Sequence, residues 1–223
     1  MSCLLLDIGH NKSTPLARIS FQKAVKRLIF LTSIVFILGL LTSPPATANP
    51  KYASIIVEES SGRVLYSRSA DKQLSPASLT KIMTLYLLFE ALQNRRITLG
   101  TRMKVSKVAA SRSPSKLYLK PGQTITVENA ILALVTKSAN DVATVVSEHL
   151  GGNERNFAKK MTRKAKAIGM KRTIFKNASG LPNQAQLSTA RDMARLGIAI
   201  RRDFPQYFKS VSYTHLRAHE TSD

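Results

Sequence analysis

The order of apolar and polar positions near the start of the chain's central part predicts a hairpin followed by a buried helix. Two short apolar runs within residues 53–66 flank a polar segment that ends in glycine, a pattern typical of antiparallel strands joined by a turn. Residues 82–92 then contain nine apolar or aromatic residues out of eleven. Because a helix that is apolar on nearly all sides is a buried one, we predict a core helix that opens at Ser78 and ends near Asn94.

The second half of the chain carries further helical patterns and little strand signal. Residues 124–127 alternate and predict a short strand, and Glu128 begins a helix directly after it. Two more helices are predicted over 141–150 and 154–168, the latter with one apolar and one basic face. A last helix begins near Ala190 behind a Ser-Thr cap. Helices packed on a hairpin sheet give an α+β fold class.

Residues 1–48 have the pattern of a secretory signal peptide. A 14-residue apolar stretch, Leu28 to Leu41, precedes the small residues Ala46-Thr47-Ala48, which are typical of a cleavage site. Arg18, Lys23, Lys26 and Arg27 supply a positively charged region before the apolar stretch. Since a spanning helix needs about 20 residues, we expect cleavage, with an uncleaved anchor as the alternative. The protein is therefore expected to be exported.

Charge and cysteine content narrow the possible functions. The whole chain has a net charge of +21, and the part after residue 48 has 29 Lys and Arg against 12 Asp and Glu, about +17. Such a charge suits anionic membrane surfaces, acidic wall polymers or nucleic acid, and export argues against nucleic acid. A solvated basic surface without a specific partner is the alternative. The only cysteine, Cys3, lies in the signal, so the remainder has no thiol nucleophile and no cysteine zinc site.

One Ser-x-x-Lys motif stands where it could form a nucleophile and its base. On a helix, residues i and i+3 share a face, which would place the Lys81 amine beside the Ser78 hydroxyl. Lysine accepts a proton only when neutral, and burial in an apolar helix favours that form. The other three motifs, which begin at Ser20, Ser69 and Ser113, do not open an apolar helix. A plain helix cap is the alternative role for Ser78.

Ser138-Ala139-Asn140 is the only Ser-x-Asn sequence in the chain. It falls between two predicted helices, where small polar residues usually form a turn. Beside a buried Ser-x-x-Lys pair, the same residues could supply a second hydroxyl for proton transfer and an amide for a substrate.

The histidines do not favour a different catalytic centre. Only His149 lies in the body of the chain, so a Ser-His-Asp triad is poorly supported. His215 and His219 are four residues apart but lack a third ligand, so we predict no metal site.

Five segments taken together carry a family resemblance. The nucleophile motif has the wider sequence Pro-Ala-Ser-Leu-Thr-Lys-Ile-Met-Thr. The five segments are Pro76–Thr84, Leu119–Gly122, Lys137–Asp141, Asn177–Pro182 and Ser188–Met193. In combination they resemble the D-alanyl-D-alanine carboxypeptidases, the low-molecular-mass penicillin-binding proteins of serine peptidase family S11. The resemblance covers roughly residues 52–210.

The resemblance implies a fold, a reaction and a site. The implied fold is the serine β-lactamase/DD-peptidase-like transpeptidase fold. Ser78 would attack the bond between the two D-alanines that end a peptidoglycan stem peptide, and Lys81 would accept its proton. Ser138 would relay a proton to the leaving group, and Asn140 would hold the substrate amide. β-Lactams would acylate Ser78, no cofactor or metal is implied, and the location would be the periplasm or the outer face of the cytoplasmic membrane.

The chain departs from the family in one motif and at its end. No Lys-Thr-Gly occurs, so we expect an incomplete fold without the C-terminal strands, with residues 49–210 as a partial catalytic domain. Residues 211–223 have no family counterpart, and we interpret them as a sequence artefact. The alternatives are a DD-endopeptidase of the same family, a non-catalytic penicillin-binding or wall-binding protein, and a class A β-lactamase. The segments at 119–122 and 177–193 argue against the last.

Overall fold

The structure, a computed structural model, describes residues 26–27, 30, 32 and 52–211. Residues 1–50 and 51–223 form separate units, and within the first unit only the four described positions, all helical, can be placed. The predicted cleavage site and most of the predicted signal lie outside the described residues, as do residues 212–223. Within the described part of the chain, no helix has the length and apolar character needed to span a membrane.

An antiparallel hairpin begins the described domain, as the sequence predicts. Strand β1, Ser54–Val57, pairs with strand β2, Val64–Arg68. The turn between them closes through a 2.9 Å hydrogen bond from the Gly62 N–H to the Glu58 carbonyl. Gly62 has a φ of +70°, a conformation that glycine adopts without a steric penalty. The alternating apolar runs and the polar turn were therefore sufficient to locate this element.

The predicted core helix is also present. Helix α1 spans Thr80–Gln93, follows a 3₁₀ turn at Ala77–Leu79, and ends at Asn94 as predicted. Eleven of its fourteen residues are buried. Side chains on nearly every side of α1 therefore face the core, which accounts for the absence of a polar face.

A second small sheet was only half predicted. Strand β3, Arg102–Lys104, pairs with strand β4, Thr124–Thr126, and a short helix α2, Lys107–Ala110, lies between them. The sequence indicated β4 but not its partner. The strand ends one residue earlier than predicted because the Thr126 side chain accepts a hydrogen bond from the Asn129 N–H and so caps the next helix.

Five helices complete the domain and enclose α1. They are α3 Val127–Thr136, α4 Asn140–Gly151, α5 Glu154–Ala167, α6 Ala190–Asp203 and α7 Pro205–Val211. Each predicted helix start is found within a residue or two, and the Thr189 hydroxyl caps α6 as expected. At the core, the Phe204 ring meets the Tyr86 ring edge to face, with 4.8 Å between centroids.

The segment that connects α5 to α6 crosses back over the start of α1. Leu74 and Ser188 exchange two backbone hydrogen bonds of 2.9 Å, and Ile174 bridges Leu187 in the same way. The buried Asp192 carboxylate accepts from the backbone N–H of Arg172 at 2.8 Å. These contacts hold residues 177–180 against the 3₁₀ turn that carries Ser78.

Contact between these two parts of the chain requires a glycine. Gly180 has a φ of +88°, and a Cβ added there would lie 1.8 Å from the Ala77 carbonyl oxygen. No flexible side chain could move to relieve that clash, because the obstructing atom belongs to the backbone. The close approach of the two backbones therefore requires glycine at position 180.

We predict that Gly180→Ala lowers the free energy of unfolding by about 2–4 kcal/mol, because it combines a left-handed backbone with steric overlap. Gly197→Ala is the matched control, since Gly197 is exposed within α6 and no atom lies within 4 Å of its Cβ position. That control should gain about 0.5–1 kcal/mol from higher helix propensity. Urea unfolding of both variants measures the difference, and equal midpoints would contradict the packing described.

Candidate active site

Ser78 lies in the 3₁₀ turn directly before α1 and is exposed to solvent. Lys81 occupies the first turn of α1 and is only 3% exposed. The three-residue spacing brings the Lys81 Nζ to 3.5 Å from the Ser78 Oγ. An accessible hydroxyl thus stands beside a buried amine, the pairing that the sequence predicted.

The environment of Lys81 favours the neutral amine. Its Nζ donates a 2.6 Å hydrogen bond to the Ser179 carbonyl oxygen. Within the described part of the chain, no carboxylate forms an ion pair with it. Burial lowers the pKa of Lys81 from 10.5 to about 8, because desolvation penalises the ammonium form. A larger share of Lys81 is therefore available as a base near neutral pH than for a lysine in water.

Residues 177–180 form a loop that holds α1 through its backbone carbonyls. The Ser179 carbonyl accepts from Lys81, and the Ala178 carbonyl accepts from the Thr84 hydroxyl at 2.7 Å. Thr84 lies one helical turn after Lys81, so the two bonds fix the same face of α1. We call residues 177–180 the clamp loop.

The clamp loop is itself fixed by polar side chains. The Asn177 Oδ1 accepts from the Gly180 N–H at 2.7 Å, and its Nδ2 donates to the Leu181 carbonyl at 2.9 Å. The buried Gln186 Oε1 accepts from the N–H groups of Lys176 and Asn177 at 2.8 and 3.0 Å. The sequence of this segment resembles the family, but it indicates no role for the loop. Every residue type has a backbone carbonyl, so the sequence could not predict that the Ser179 carbonyl accepts from Lys81, which lies 98 positions earlier.

The second predicted pair lies at the start of α4. Ser138 has a φ of +53°, and Asn140 is the first residue of α4. The Asn140 Nδ2 donates to the Ser113 carbonyl at 2.9 Å, and its N–H donates to the Ser115 carbonyl at 2.7 Å. Asn140 is thus engaged with the loop at 113–115.

Direct contact joins only the first of the two predicted pairs. Across residues 52–211, the Ser138 hydroxyl makes no hydrogen bond to Ser78 or to Lys81. The Asn140 amide is also directed elsewhere. The structure therefore brings Ser78 and Lys81 together, and the roles implied for Ser138 and Asn140 stay predictions from the family resemblance.

A buried carboxylate next to Asn140 anchors the loop opposite. Asp141 is fully buried and accepts hydrogen bonds from the backbone N–H groups of Leu117 and Leu119, at 3.0 and 3.3 Å. Its position in the first turn of α4 also places negative charge at the helix N-terminus, which the helix dipole favours. Asp141 belongs to one of the five family-like segments, but its sequence position alone does not predict this anchoring contact.

One histidine, His149, lies within residues 52–211. His149 is exposed in the last turn of α4. Within the ranges that the structure covers, no three His, Cys, Asp or Glu side chains are grouped so that they could hold a metal ion. His215 and His219 lie outside those ranges.

Comparisons with known proteins give one family and several relatives. A family model described as D-alanyl-D-alanine carboxypeptidase, of peptidase family S11, matches residues 42–222. The chain is 38% identical over 147 residues to D-alanyl-D-alanine carboxypeptidase DacF of Bacillus subtilis, a match that covers 66% of the chain and 38% of the relative. A relative from Pseudomonas aeruginosa named D-alanyl-D-alanine endopeptidase is 27% identical over 188 residues, or 79% of the chain and 59% of the relative.

Solved structures show the same fold. The carboxypeptidase DacD from Francisella tularensis superposes with a TM-score of 0.70 at 34% identity, over 76% of this chain and 41% of that one. Penicillin-binding protein D2 from Listeria monocytogenes, in its ampicillin-bound form, gives a TM-score of 0.69 at 28% identity, over 80% and 72% of the two chains. The predicted DD-peptidase fold is thus confirmed.

The chain spans about two fifths of the length of the first curated relatives that it matches. Within that span it carries the core helix, the Ser-x-x-Lys pair and the clamp loop. The family match covers far more than half of the residues. The chain therefore belongs to the D-alanyl-D-alanine carboxypeptidase family S11 of serine peptidases.

Proposed function

We propose that this chain acts as a serine-type D-Ala-D-Ala carboxypeptidase, which removes the terminal D-alanine from peptidoglycan stem peptides during cell-wall synthesis and remodelling. Family membership and the name of the Bacillus subtilis relative support the reaction class. The single observation that carries the proposal is the exposed Ser78 hydroxyl 3.5 Å from the buried Lys81 amine. An accessible nucleophile with a preformed base is what acyl transfer requires.

The proposed reaction has two steps. Ser78 Oγ attacks the carbonyl carbon of the penultimate D-alanine while its proton passes to the Lys81 Nζ. The C–N bond then breaks, the leaving D-alanine amine takes up a proton, and an ester remains on Ser78. Water next attacks the ester carbonyl, releases the shortened peptide and restores the Ser78 hydroxyl.

We also propose the roles that the family resemblance implies for the second pair. Ser138 would relay the proton to the leaving amine, and its hydroxyl has no hydrogen bond among residues 52–211 that would oppose this. Asn140 would hold the substrate amide through its Oδ1, because its Nδ2 already donates to the Ser113 carbonyl. No step in this scheme needs a metal or an organic cofactor.

Two classes of partner follow from the same site. We propose that β-lactams acylate Ser78, and the Listeria monocytogenes protein with bound ampicillin supports this by its similarity. We further propose that residues 1–48 direct export to the periplasm or to the outer face of the cytoplasmic membrane. The net charge of +21 would favour peripheral contact with an anionic membrane surface.

The nucleophile assignment predicts that the 223-residue chain is labelled covalently by a fluorescent penicillin and that Ser78→Ala is not. Removing the hydroxyl removes the atom that forms the ester. Ser113→Ala is the matched control, because Ser113 also begins a Ser-x-x-Lys motif but its lysine, Lys116, donates to the Ala110 carbonyl. Gel fluorescence measures the labelling. Equal labelling of the parent chain and Ser78→Ala would overturn the assignment.

Turnover of two substrates distinguishes a carboxypeptidase, an endopeptidase and a non-catalytic penicillin-binding protein. A carboxypeptidase releases free D-alanine from a stem peptide that ends in D-Ala-D-Ala. A DD-endopeptidase, the activity named for the Pseudomonas aeruginosa relative, instead cleaves cross-linked muropeptides. Labelling without turnover of either substrate would identify a penicillin-binding protein without catalysis. We expect free D-alanine to be released from the stem peptide. Chromatography of both digests measures this release and any cleavage of the cross-linked muropeptides.

The base assignment predicts how acylation depends on pH. Only neutral Lys81 accepts the Ser78 proton, and burial lowers the pKa of Lys81 to about 8. The neutral fraction therefore falls as pH drops below 8, and the acylation rate should fall about tenfold per unit there. Above about pH 9 the rate should level off. Stopped-flow measurement of penicillin acylation tests this, and a rate still climbing towards pH 10.5 would contradict a buried base.

A further inference from the structure

A groove runs along α5 on the side that faces the segment before the clamp loop. Its volume is about 730 Å³, and its walls are α5 and residues 174–176, with Asn183 at the edge. Neither the proposed reaction nor the family resemblance assigns it a role.

Hydrogen bonds fix the two walls relative to each other. The Thr162 hydroxyl accepts from the Phe175 N–H at 3.0 Å and donates to the Ala158 carbonyl at 3.0 Å. Phe175 is only 2% exposed, so its ring anchors this wall in the core. The groove is therefore preformed and does not depend on a mobile side chain for its shape.

Positive charge lines the groove from both walls. Arg155, Lys159 and Arg163 are spaced four residues apart on α5, so they form a stripe with a rise of about 6 Å per step. Lys176 adds a fourth cation from the opposite wall. All four residues are exposed, and none forms an ion pair with any residue that the structure describes.

The one acidic residue of the groove does not offset this charge. Glu154 pairs with Arg112 and also accepts a 3.1 Å hydrogen bond from the Ala178 N–H. Its carboxylate is thus committed to an arginine outside the groove and to the clamp loop. Four like charges converge on one concavity without a counterion from the protein, an arrangement that repels itself until an anion binds.

We propose that this groove binds a flexible, phosphate-rich polyanion. Arginine presents a planar fork that fits phosphate oxygens, and the regular spacing along α5 suits a chain with repeated charges. A flexible strand can enter between two walls, whereas a flat bilayer surface meets only their rims. The bound chain would lie beside the clamp loop, because Glu154 contacts both the groove and Ala178. This inference stands independently of the proposed reaction.

The test compares two triple variants of the 223-residue chain that lose equal charge. The groove variant is R155Q/K159Q/R163Q. The control variant is R95Q/K104Q/K107Q, which removes three exposed cations outside the groove. Binding of each protein to inorganic polyphosphate, to polyglutamate and to phosphatidylglycerol vesicles is measured near physiological salt. Circular dichroism melts establish that both variants fold as the parent does.

We expect polyphosphate to bind the parent chain and the groove variant to lose about tenfold in affinity, since three ionic contacts are removed. The control variant should lose less than about twofold, and polyglutamate should bind more weakly than polyphosphate. Vesicle binding should fall equally in both variants, because it depends on net charge. Equal loss of polyphosphate binding in both variants would overturn the proposal. Polyglutamate that binds as tightly as polyphosphate would also overturn it. A loss of binding in the groove variant that is seen only with vesicles would do the same, because it would identify lipid as the ligand.

Discussion

Burial of a single amine is the constraint on which the rest of the site depends. Lys81 is 3% exposed and has the Ser179 carbonyl as its close polar partner at 2.6 Å. Within the described residues no carboxylate neutralises it, and an unpaired buried ammonium is strongly disfavoured. Folding therefore destabilises the charged form relative to water, and the pKa of Lys81 falls to about 8. The same buried position leaves the amine 3.5 Å from the exposed Ser78 hydroxyl. The position of Lys81 in the core therefore sets both its pKa and its distance from Ser78.

This placement is maintained by contacts that are remote in sequence. The clamp loop reaches the face of α1 that carries Lys81 and Thr84, and it comes close only because Gly180 has no side chain. The bridge between Leu74 and Ser188 aligns the loop with the 3₁₀ turn. An isolated α1 peptide would leave Lys81 in water, where its amine would be protonated. The lowered pKa of Lys81 thus depends on the folded domain, and Glu154 of the cationic groove accepts a hydrogen bond from the Ala178 N–H of the same loop.

The sequence was most informative where structure is local. The hairpin, the buried α1, the Thr189 cap and the i, i+3 approach of Ser78 and Lys81 all follow from neighbouring residues. It could not reveal the pairing of β3 with β4, because β3 is three residues long and a single apolar position, Met103, is too short a pattern to identify a strand. Nor could it show that Asn140 binds the Ser113 carbonyl or that Lys81 binds the Ser179 carbonyl, since every residue type has such an oxygen. The unpaired charge of the groove likewise emerges only when α5 and residues 174–176 are set side by side.

The most direct test of this account is the titration of the Lys81 amine itself. Lysine labelled with carbon-13 at Cε reports the protonation of each amine by NMR, and Lys81→Met, which keeps the apolar volume, identifies the resonance. The account predicts a resonance that titrates near pH 8 and disappears in Lys81→Met. A Lys81 resonance that titrates near the ordinary value of 10.5 would show that burial does not destabilise its ammonium form, and the central claim would fail.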